Sequence, residues 1–358
     1  MLKKLTYIIT RSDIGGAQFH TLALLEKFKH SYDILLISGS EGVLSDRARA
    51  LGVRTMVITQ IDSFNVISAI YRIRLALNAE QPDLVHVHSS LASFYGRCAA
   101  KLTNIRTLYT VHGWHFSHEP NALKRRIKIA IERGLKWTTS HWITVSNFDH
   151  QLGREHNLFR HDCVNTINNG VEPSSTATTR PSGNTLDVVF LGRATYQKNC
   201  ESAIRVLELT HDDVRLTMFA SGGSVEELTT QLSRSSAKHR IRLVLDDPNA
   251  AERLKNYSVM LLTSRYEGMP LGALEAMSNG LAVISTDVCG MNEVVKNEVN
   301  GYLVAQDNEQ IIADKLNSLL TDKGTLRQMG QASFELYEAN FTLNRMLTRV
   351  SEVYTKLF

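Results

Sequence analysis

Short apolar runs alternate with helix-length amphipathic segments along nearly all of this 358-residue chain, and few folds accommodate that rhythm. Residues 4–10, Tyr32–Ile37, Thr55–Ile58, Asp83–His88 and Thr107–Val111 read as strands, with helical segments at Ala17–Lys29, Leu44–Leu51, about Val66–Ala79 and Leu91–Lys101 between them. This alternation predicts a parallel, doubly wound sheet, whose ligands gather at the carboxyl ends of strands. Trp142–Ser146 and Val164–Ile167 continue the pattern. A Ser/Thr/Pro/Gly-rich stretch at 172–185 interrupts it, and Leu186–Leu191 restarts it. Two α/β domains joined by a hinge are the expectation. The second domain continues through strands at Val214–Phe219, Ile241–Leu245, Ser258–Thr263, Ala282–Thr286 and Gly301–Val304. The last helix repeats Leu343, Met346, Leu347, Val350, Val353, Tyr354 and Leu357 on one face, a stripe that something must cover.

Hydrophobic content of 43% and charged content of 21% suit a soluble globular protein, and no apolar run reaches the roughly 20 residues a spanning helix needs. The opening Met1-Leu-Lys-Lys-Leu-Thr-Tyr-Ile-Ile is too short in its apolar part for a signal peptide and reads as the first strand. Cys98, Cys163, Cys200 and Cys289 have no metal spacing and fit reduced thiols in a cytoplasmic protein. Residues 1–180 hold 22 Lys+Arg against 14 Asp+Glu, while the remainder holds 18 against 22. A basic half beside an acidic half points to an anionic surface as one partner.

The most informative single stretch is Thr263-Ser-Arg-Tyr-Glu-Gly-Met-Pro-Leu-Gly-Ala-Leu-Glu-Ala-Met277. A buried strand leads into a polar turn, and Pro270 suits the first position of a helix. Gly268 and Gly272 let backbone come close to a ligand. The free N–H groups of such a helix start favour an anion. Glu267 in the loop can hold hydroxyls, whereas Glu275 lies inside the helix among Leu271, Leu274 and Met277. Phosphate plus hydroxyls describes a sugar nucleotide. Two further loops carry weaker signals of the same kind. Gly15-Gly16 stands between a strand and a helix. Gly192-Arg193 through Lys198-Asn199 follows a strand and places a bidentate gripper and a point charge where a diphosphate would sit.

His88 and His112 stand at strand ends, and His112, Trp114, His115 and His118 crowd seven residues. A metal site is disfavoured, because no cysteine or i,i+4 histidine pair accompanies them. Carbohydrate contact by His112 and Trp114 is the preferred reading. Residues 121–137 read as an amphipathic helix in which Lys124, Arg125, Arg126, Lys128, Arg133 and Lys136 face only Glu132. Its apolar residues, Leu123, Ile127, Ala130 and Ile131, either pack on the sheet or enter an anionic membrane surface. No recognition motif for nucleic acid accompanies the charge.

Taken together, Glu267-x7-Glu275 with its glycines, Gly192-Arg193-x4-Lys198-Asn199, Gly15-Gly16-Ala17-Gln18, Thr110-Val-His112-Gly113, Thr144-Val-Ser146 and Asn168-Asn-Gly-Val171 resemble the retaining glycosyltransferases of family 4. The resemblance covers nearly the whole chain. It implies the α/β GT-B fold, two Rossmann-like doubly wound domains facing a central cleft. Residues 1–172 would form the acceptor domain with helix 341–358 packing back on it, 173–185 the linker, and 186–340 the donor domain. By resemblance, Arg193 and Lys198 hold the donor diphosphate, Glu275 the ribose and Glu267 the transferred sugar. Backbone of Gly268, Met269 and Leu271 meets the sugar or phosphate, Gly15 and Gly16 approach the diphosphate, and His112 lies beside the sugar and the acceptor. The family needs no metal or other cofactor. Its members imply a nucleotide-sugar donor, UDP-linked here, and a saccharide or lipid-linked acceptor. Thr110-Val-His-Gly-Trp-His-Phe116 resembles bacterial members that build surface polysaccharides, which places the protein in the cytoplasm, peripheral to the plasma membrane. Gln18 for the common Glu, and Leu245-Asp-Asp-Pro-Asn249 near the base, depart from the pattern. An epimerase or phosphorylase on the same fold and a non-catalytic nucleotide-binding module are the alternatives.

Overall fold

The computed structural model describes residues 2–13, 15–173, 184–247 and 249–358. Of the expected linker, residues 174–183 lie outside the described residues. The chain divides into two compact units, Met1–Asn168 with Met346–Phe358, and Asn169–Arg345.

In the first unit the strands are β1 (Lys3–Ile9), β2 (Tyr32–Ser38), β3 (Arg54–Val57), β4 (Leu84–His88), β5 (Arg106–Val111), β6 (His141–Thr144) and β7 (Val164–Thr166). They pair in parallel in the order β3-β2-β1-β4-β5-β6-β7. Helices α1 (Gly16–Phe28), α2 (Val43–Ala50), α3 (Val66–Glu80), α4 (Ser90–Leu102), α5 (Ala122–Leu135) and α6 (Asn147–Glu155) connect them. Right-handed crossovers put α1 and α2 on one face and α3 to α6 on the other. The strands are apolar on both faces, with Tyr7, Ile8, Ile9, Val85 and Val87 fully buried, as a sheet covered on both sides requires.

α6 is an element that sequence periodicity does not reveal. It is short and polar, with Phe148 and Leu152 alone on an apolar face. Its start was nonetheless written in Ser146, whose hydroxyl accepts from the Asp149 N–H and donates to the Asp149 carboxylate.

In the second unit the strands are β8 (Leu186–Ala194), β9 (Val214–Gly223), β10 (Ile241–Leu245), β11 (Val259–Leu262), β12 (Ala282–Thr286) and β13 (Gly301–Val304), in the parallel order β10-β9-β8-β11-β12-β13. Their helices are α7 (Cys200–Glu208), α8 (Val225–Arg234), α9 (Leu271–Ser278), α10 (Met291–Val294), α11 (Glu309–Thr321) and α12 (Lys323–Asn340). Gly192-Arg193, expected in a loop, and Ala220–Gly223, beyond the expected end of their strand, instead extend β8 and β9. They pair with each other, with a register shift between Arg193 and Ala194. Gly223 has φ +66°, and a Cβ there would lie 2.0 Å from the Ala194 carbonyl oxygen, so glycine is obligatory at this bulge. Asn169 to Val171 belong with this unit: Val171 N–H donates to the Phe341 carbonyl, and the Tyr337 hydroxyl donates to the Val171 carbonyl.

The final helix, α13 (Leu343–Leu357), buries Met346, Leu347, Val350, Val353 and Tyr354. Its far end lies on the first unit. The Tyr354 hydroxyl meets the Tyr7 hydroxyl and His86 Nδ1, both at 2.7 Å, and His86 Nε2 meets Thr110 Oγ1 at 2.7 Å.

α5 sits differently from one of the two sequence readings. Its Leu123, Ile127 and Ile131 are exposed rather than packed on the sheet. Leu135 and the buried Glu132 hold the helix down. The Glu132 carboxylate takes Arg97 Nη2 at 2.8 and 3.0 Å, and Arg97 also donates to the Ser93 carbonyl and stacks 4.5 Å over the Tyr109 ring. Among the described residues no helix is long and apolar enough to cross a membrane.

Candidate functional site

Each sheet reverses its strand order once, between β1 and β4 in the first unit and between β8 and β11 in the second. A parallel sheet opens a crevice at such a point, beyond the carboxyl ends of its strands. The sequence-selected residues fall at these two places.

In the second unit, loop 195–199 after β8 is stitched to loop 263–267 after β11. Arg265 N–H donates to the Gln197 carbonyl, Gln197 Nε2 donates to the Tyr266 carbonyl, and Thr263 Oγ1 donates to the Asn199 carbonyl. The stitching brings together two residues 69 positions apart. Lys198 Nζ lies 2.5 Å from Glu267 Oε1, and the Ser264 hydroxyl donates to the same oxygen at 2.6 Å. Glu267 is 6% exposed, so its charge needs these partners. The Lys198 stem crosses Gly192, where a Cβ would lie 3.2–3.3 Å from three of its carbons. Gly192 therefore makes room for that side chain rather than for a turn. Arg193 is exposed at the end of β8, and its guanidinium has no protein partner among the described residues.

Pro270 stands just before α9 as its cap residue, at φ −72° and ψ 120°, rather than as the first helical residue. No side chain caps this helix and no acid lies in its first turn. The N–H groups at Leu271 and Gly272 are therefore left to solvent or a ligand. Asn169 Nδ2 donates to the Met269 carbonyl at 2.9 Å and fixes the preceding peptide. Gly272 is not required by its neighbours, since a Cβ there would make ordinary contacts at 3.5 Å. The Glu275 carboxylate has no protein partner among the described residues, and burial pushes its pKa up to about 7.

In the first unit, α1 starts at Gly15–Gly16 with no side-chain cap and no acid in its first turn. Gln18 folds back over Gly15 and donates to the Arg11 carbonyl. His112, at the end of β5, is half-buried, and its Nε2 lies 3.0 Å from Nδ1 of buried His88 at the end of β4. His20 of α1 completes the group. One ligand atom from each of His20, His88 and His112 lies within 4.8 Å of the others. Sequence spacing could not reveal this trio, because its members come from three separate elements. Burial, reinforced by the neighbouring histidines, depresses the pKa of His88 and His112 well below the usual imidazole range, so both are neutral at pH 7. His88 Nε2 is buried without a hydrogen-bond partner among the described residues.

Trp114 is not a sugar platform. It is 1% exposed, stacks against Phe116, and donates its indole N–H to the Asp149 carbonyl at 2.7 Å. Core burial claims the ring that the loop's composition offered to a ligand.

Two family models match the chain in tandem, Glycosyltransferase Family 4 over residues 14–175 and Glycosyl transferases group 1 over residues 175–336. The O-antigen biosynthesis glycosyltransferase WbnH of Escherichia coli is 26% identical over 91% of this chain and 93% of that protein. The UDP-Gal:alpha-D-GlcNAc-diphosphoundecaprenol alpha-1,3-galactosyltransferase of Escherichia coli is also 26% identical, over 98% and 96%. The crystal structure of Anabaena Alr3699/HepE in complex with UDP matches 99% of this chain and 100% of that one, with a TM-score of 0.84 at 16% identity. This likeness shows the fold, GT-B with two parallel-sheet Rossmann-like domains.

Proposed function

The chain belongs to the family 4, group 1 glycosyltransferases, and on that premise we propose that it is a retaining enzyme moving a hexosyl group from a UDP-linked donor to a lipid-linked saccharide in bacterial polysaccharide synthesis. The observation that carries this reading is the second unit's reversal point, where Arg193, without a partner among the described residues, stands with Lys198, the uncapped start of α9, Glu267 and Glu275. A relative named for a UDP-Gal donor and a diphosphoundecaprenol acceptor, and a structural neighbour bound to UDP, support the choice of donor and acceptor.

The difficult step is expulsion of the nucleoside diphosphate. As the bond from the sugar's anomeric carbon to the phosphate oxygen breaks, charge grows on that oxygen. Arg193, Lys198 and the N–H groups of Met269 and Leu271 stabilise it more than they stabilise the intact donor. Gly268 keeps the loop open to the ligand. The acceptor hydroxyl attacks the anomeric carbon from the face the diphosphate leaves, and the departing phosphate oxygen takes its proton. No side chain is needed as general base. Two cations and the start of α9 do the work a divalent metal does elsewhere, so transfer proceeds without one. Glu267 holds hydroxyls of the moving sugar while steadying Lys198, and Glu275 holds the ribose. Neutral His112 exchanges a hydrogen bond with the sugar or the acceptor.

The acceptor's lipid places the protein on the cytoplasmic side of the plasma membrane, with the basic α5 against anionic headgroups. The test is donor-dependent transfer in EDTA to a lipid-linked acceptor, with retention read at the anomeric carbon. Arg193→Ala and Glu267→Ala should abolish most of it. Interconversion of the free sugar nucleotide without acceptor would assign an epimerase instead. UDP-sugar binding with no turnover over a panel of acceptors would assign a binding module.

A further inference from the structure

Exposed large apolar side chains are distributed unequally between the two units. In the second they stand singly, at Tyr196, Leu209, Leu245, Val299 and Ile311, as on an ordinary protein surface. In the first, one helical layer carries two organised stripes. On α5 the stripe is Leu123, Ile127 and Ile131. On α3 it is Ile67, Tyr71 and Leu75, continued by Phe64 in the preceding turn. The residues of α3 that face inward, Ala69, Ile73, Ala76 and Leu77, lie on the opposite side of the helix, so its core contacts do not need the outer stripe.

These helices share one face of the sheet, with α4 largely buried between them. The charges beside both stripes have one sign. Arg72 and Arg74 are exposed on α3, and Lys124, Arg125, Arg126 and Arg133 on α5. The acids of the two helices are withdrawn, Glu132 buried against Arg97 and Glu80 paired with Arg54. Exposure also falls along both helices in the same direction, from 84% at Ile67 to 46% at Leu75 and from 68% at Leu123 to 44% at Ile131. The more exposed ends are the helix starts, which lie at the carboxyl edge of the sheet, the edge where β5 delivers His112.

We propose that α3 and α5 together form a two-helix dock for an anionic lipid bilayer, inserted most deeply at their N-terminal ends. Apolar stripes flanked only by cations match the depth and charge of such an interface, and neither stripe alone has the area of the pair. The tilt sets the His112 edge of the sheet closest to the headgroups, where a lipid-linked acceptor presents its sugar. This extends the membrane contact proposed above from α5 to a second helix and an orientation, and rests on that reading.

The test is co-sedimentation with phosphatidylglycerol-containing vesicles and with neutral phosphatidylcholine vesicles, alongside transfer to a water-soluble acceptor as a check on folding. The wild type should bind the anionic vesicles, less tightly as salt rises. Ile67→Asp should weaken binding about tenfold, Leu75→Asp distinctly less, and Leu123→Asp more than Ile131→Asp. Arg125→Glu with Arg126→Glu should remove the preference for anionic lipid. Soluble transfer should be unchanged in every variant. No vesicle binding by the wild type would overturn the α5 reading and the dock together. Wild-type binding lost in the Arg125/Arg126 variant but untouched by Ile67→Asp would overturn the α3 half alone. Equal effects at Ile67 and Leu75 would overturn the tilt. A concentration-dependent dimer abolished by Ile67→Asp, with vesicle binding unaffected, would assign the stripe to a second copy of the chain.

Discussion

At the first sheet's reversal point the polar groups are neutral and bonded largely to one another. At the second they are charged and only half matched. His88 and His112 share a hydrogen bond, and burial keeps both uncharged. Among the described residues Arg193 and Glu275 have no side-chain partner, and Lys198 shares its charge with Glu267. The first unit does contain a fully buried ion pair, Arg97–Glu132, but it ties α4 to α5 beside the Tyr109 ring. On the proposed function the difference separates two tasks. Recognising a neutral sugar hydroxyl needs fixed, uncharged donors and acceptors. Accepting a leaving diphosphate needs charge that is set in place before the reaction and not already neutralised.

Five substitutions break or sharpen this contrast, in descending order of expected effect. Glu132→Ala strands the Arg97 cation in the core and should cost about 3–5 kcal/mol by denaturant unfolding, while the folded fraction still transfers sugar. Arg193→Ala should lower kcat about 10²–10³-fold with an unchanged melting temperature, because the side chain is exposed and unpaired. Lys198→Ala should lower both, since it also abandons buried Glu267. Equal melting temperatures for the two variants would show that the Lys198–Glu267 pair is not structural.

Glu275 sharpens the comparison through pH. Its raised pKa means that the acid is protonated below about 7. If Glu275 holds the ribose as proposed, the ribose hydroxyls would donate to the ionised form, so UDP affinity should be full above pH 7 and fall by up to about tenfold per unit below it. Glu275→Gln should flatten that profile. In the unliganded protein the sign is reversed. A carboxyl with raised folded pKa adds stability below the ordinary carboxylate range and loses it as pH rises through 7, a dependence the same substitution should erase. His112, neutral throughout, should add no inflection between pH 6 and 8. The smallest effect is expected at Tyr354→Phe, about 1 kcal/mol for a buried hydroxyl between Tyr7 and His86.

Much of this architecture can be read from the chain. The period of apolar residues predicts both parallel sheets and α13, because strands buried on two faces leave unbroken apolar runs. Spacing alone separates Glu267 in a loop from Glu275 in a helix. Three kinds of information are missing from the pattern. Periodicity shows that α5 has an apolar stripe but not what lies against it, so packing on the sheet and facing outward look alike. Composition marks Trp114 as a ligand platform, although the Asp149 carbonyl and Phe116 enclose it. Contacts between distant segments, Lys198 with Glu267 and His20 with His88 and His112, depend on loops stitched together in space. The short, polar α6 has no apolar period to reveal it.

The most direct test is calorimetric titration of UDP into the metal-free protein in EDTA at pH 7.5, with Arg193→Ala and Lys198→Ala beside the wild type. If fixed cations and the start of α9 replace a metal, the wild type binds UDP in EDTA, added Mg²⁺ does not tighten binding, and each variant loses about tenfold or more in affinity. Binding that appears only with the divalent ion, or that survives both substitutions, would contradict that assignment.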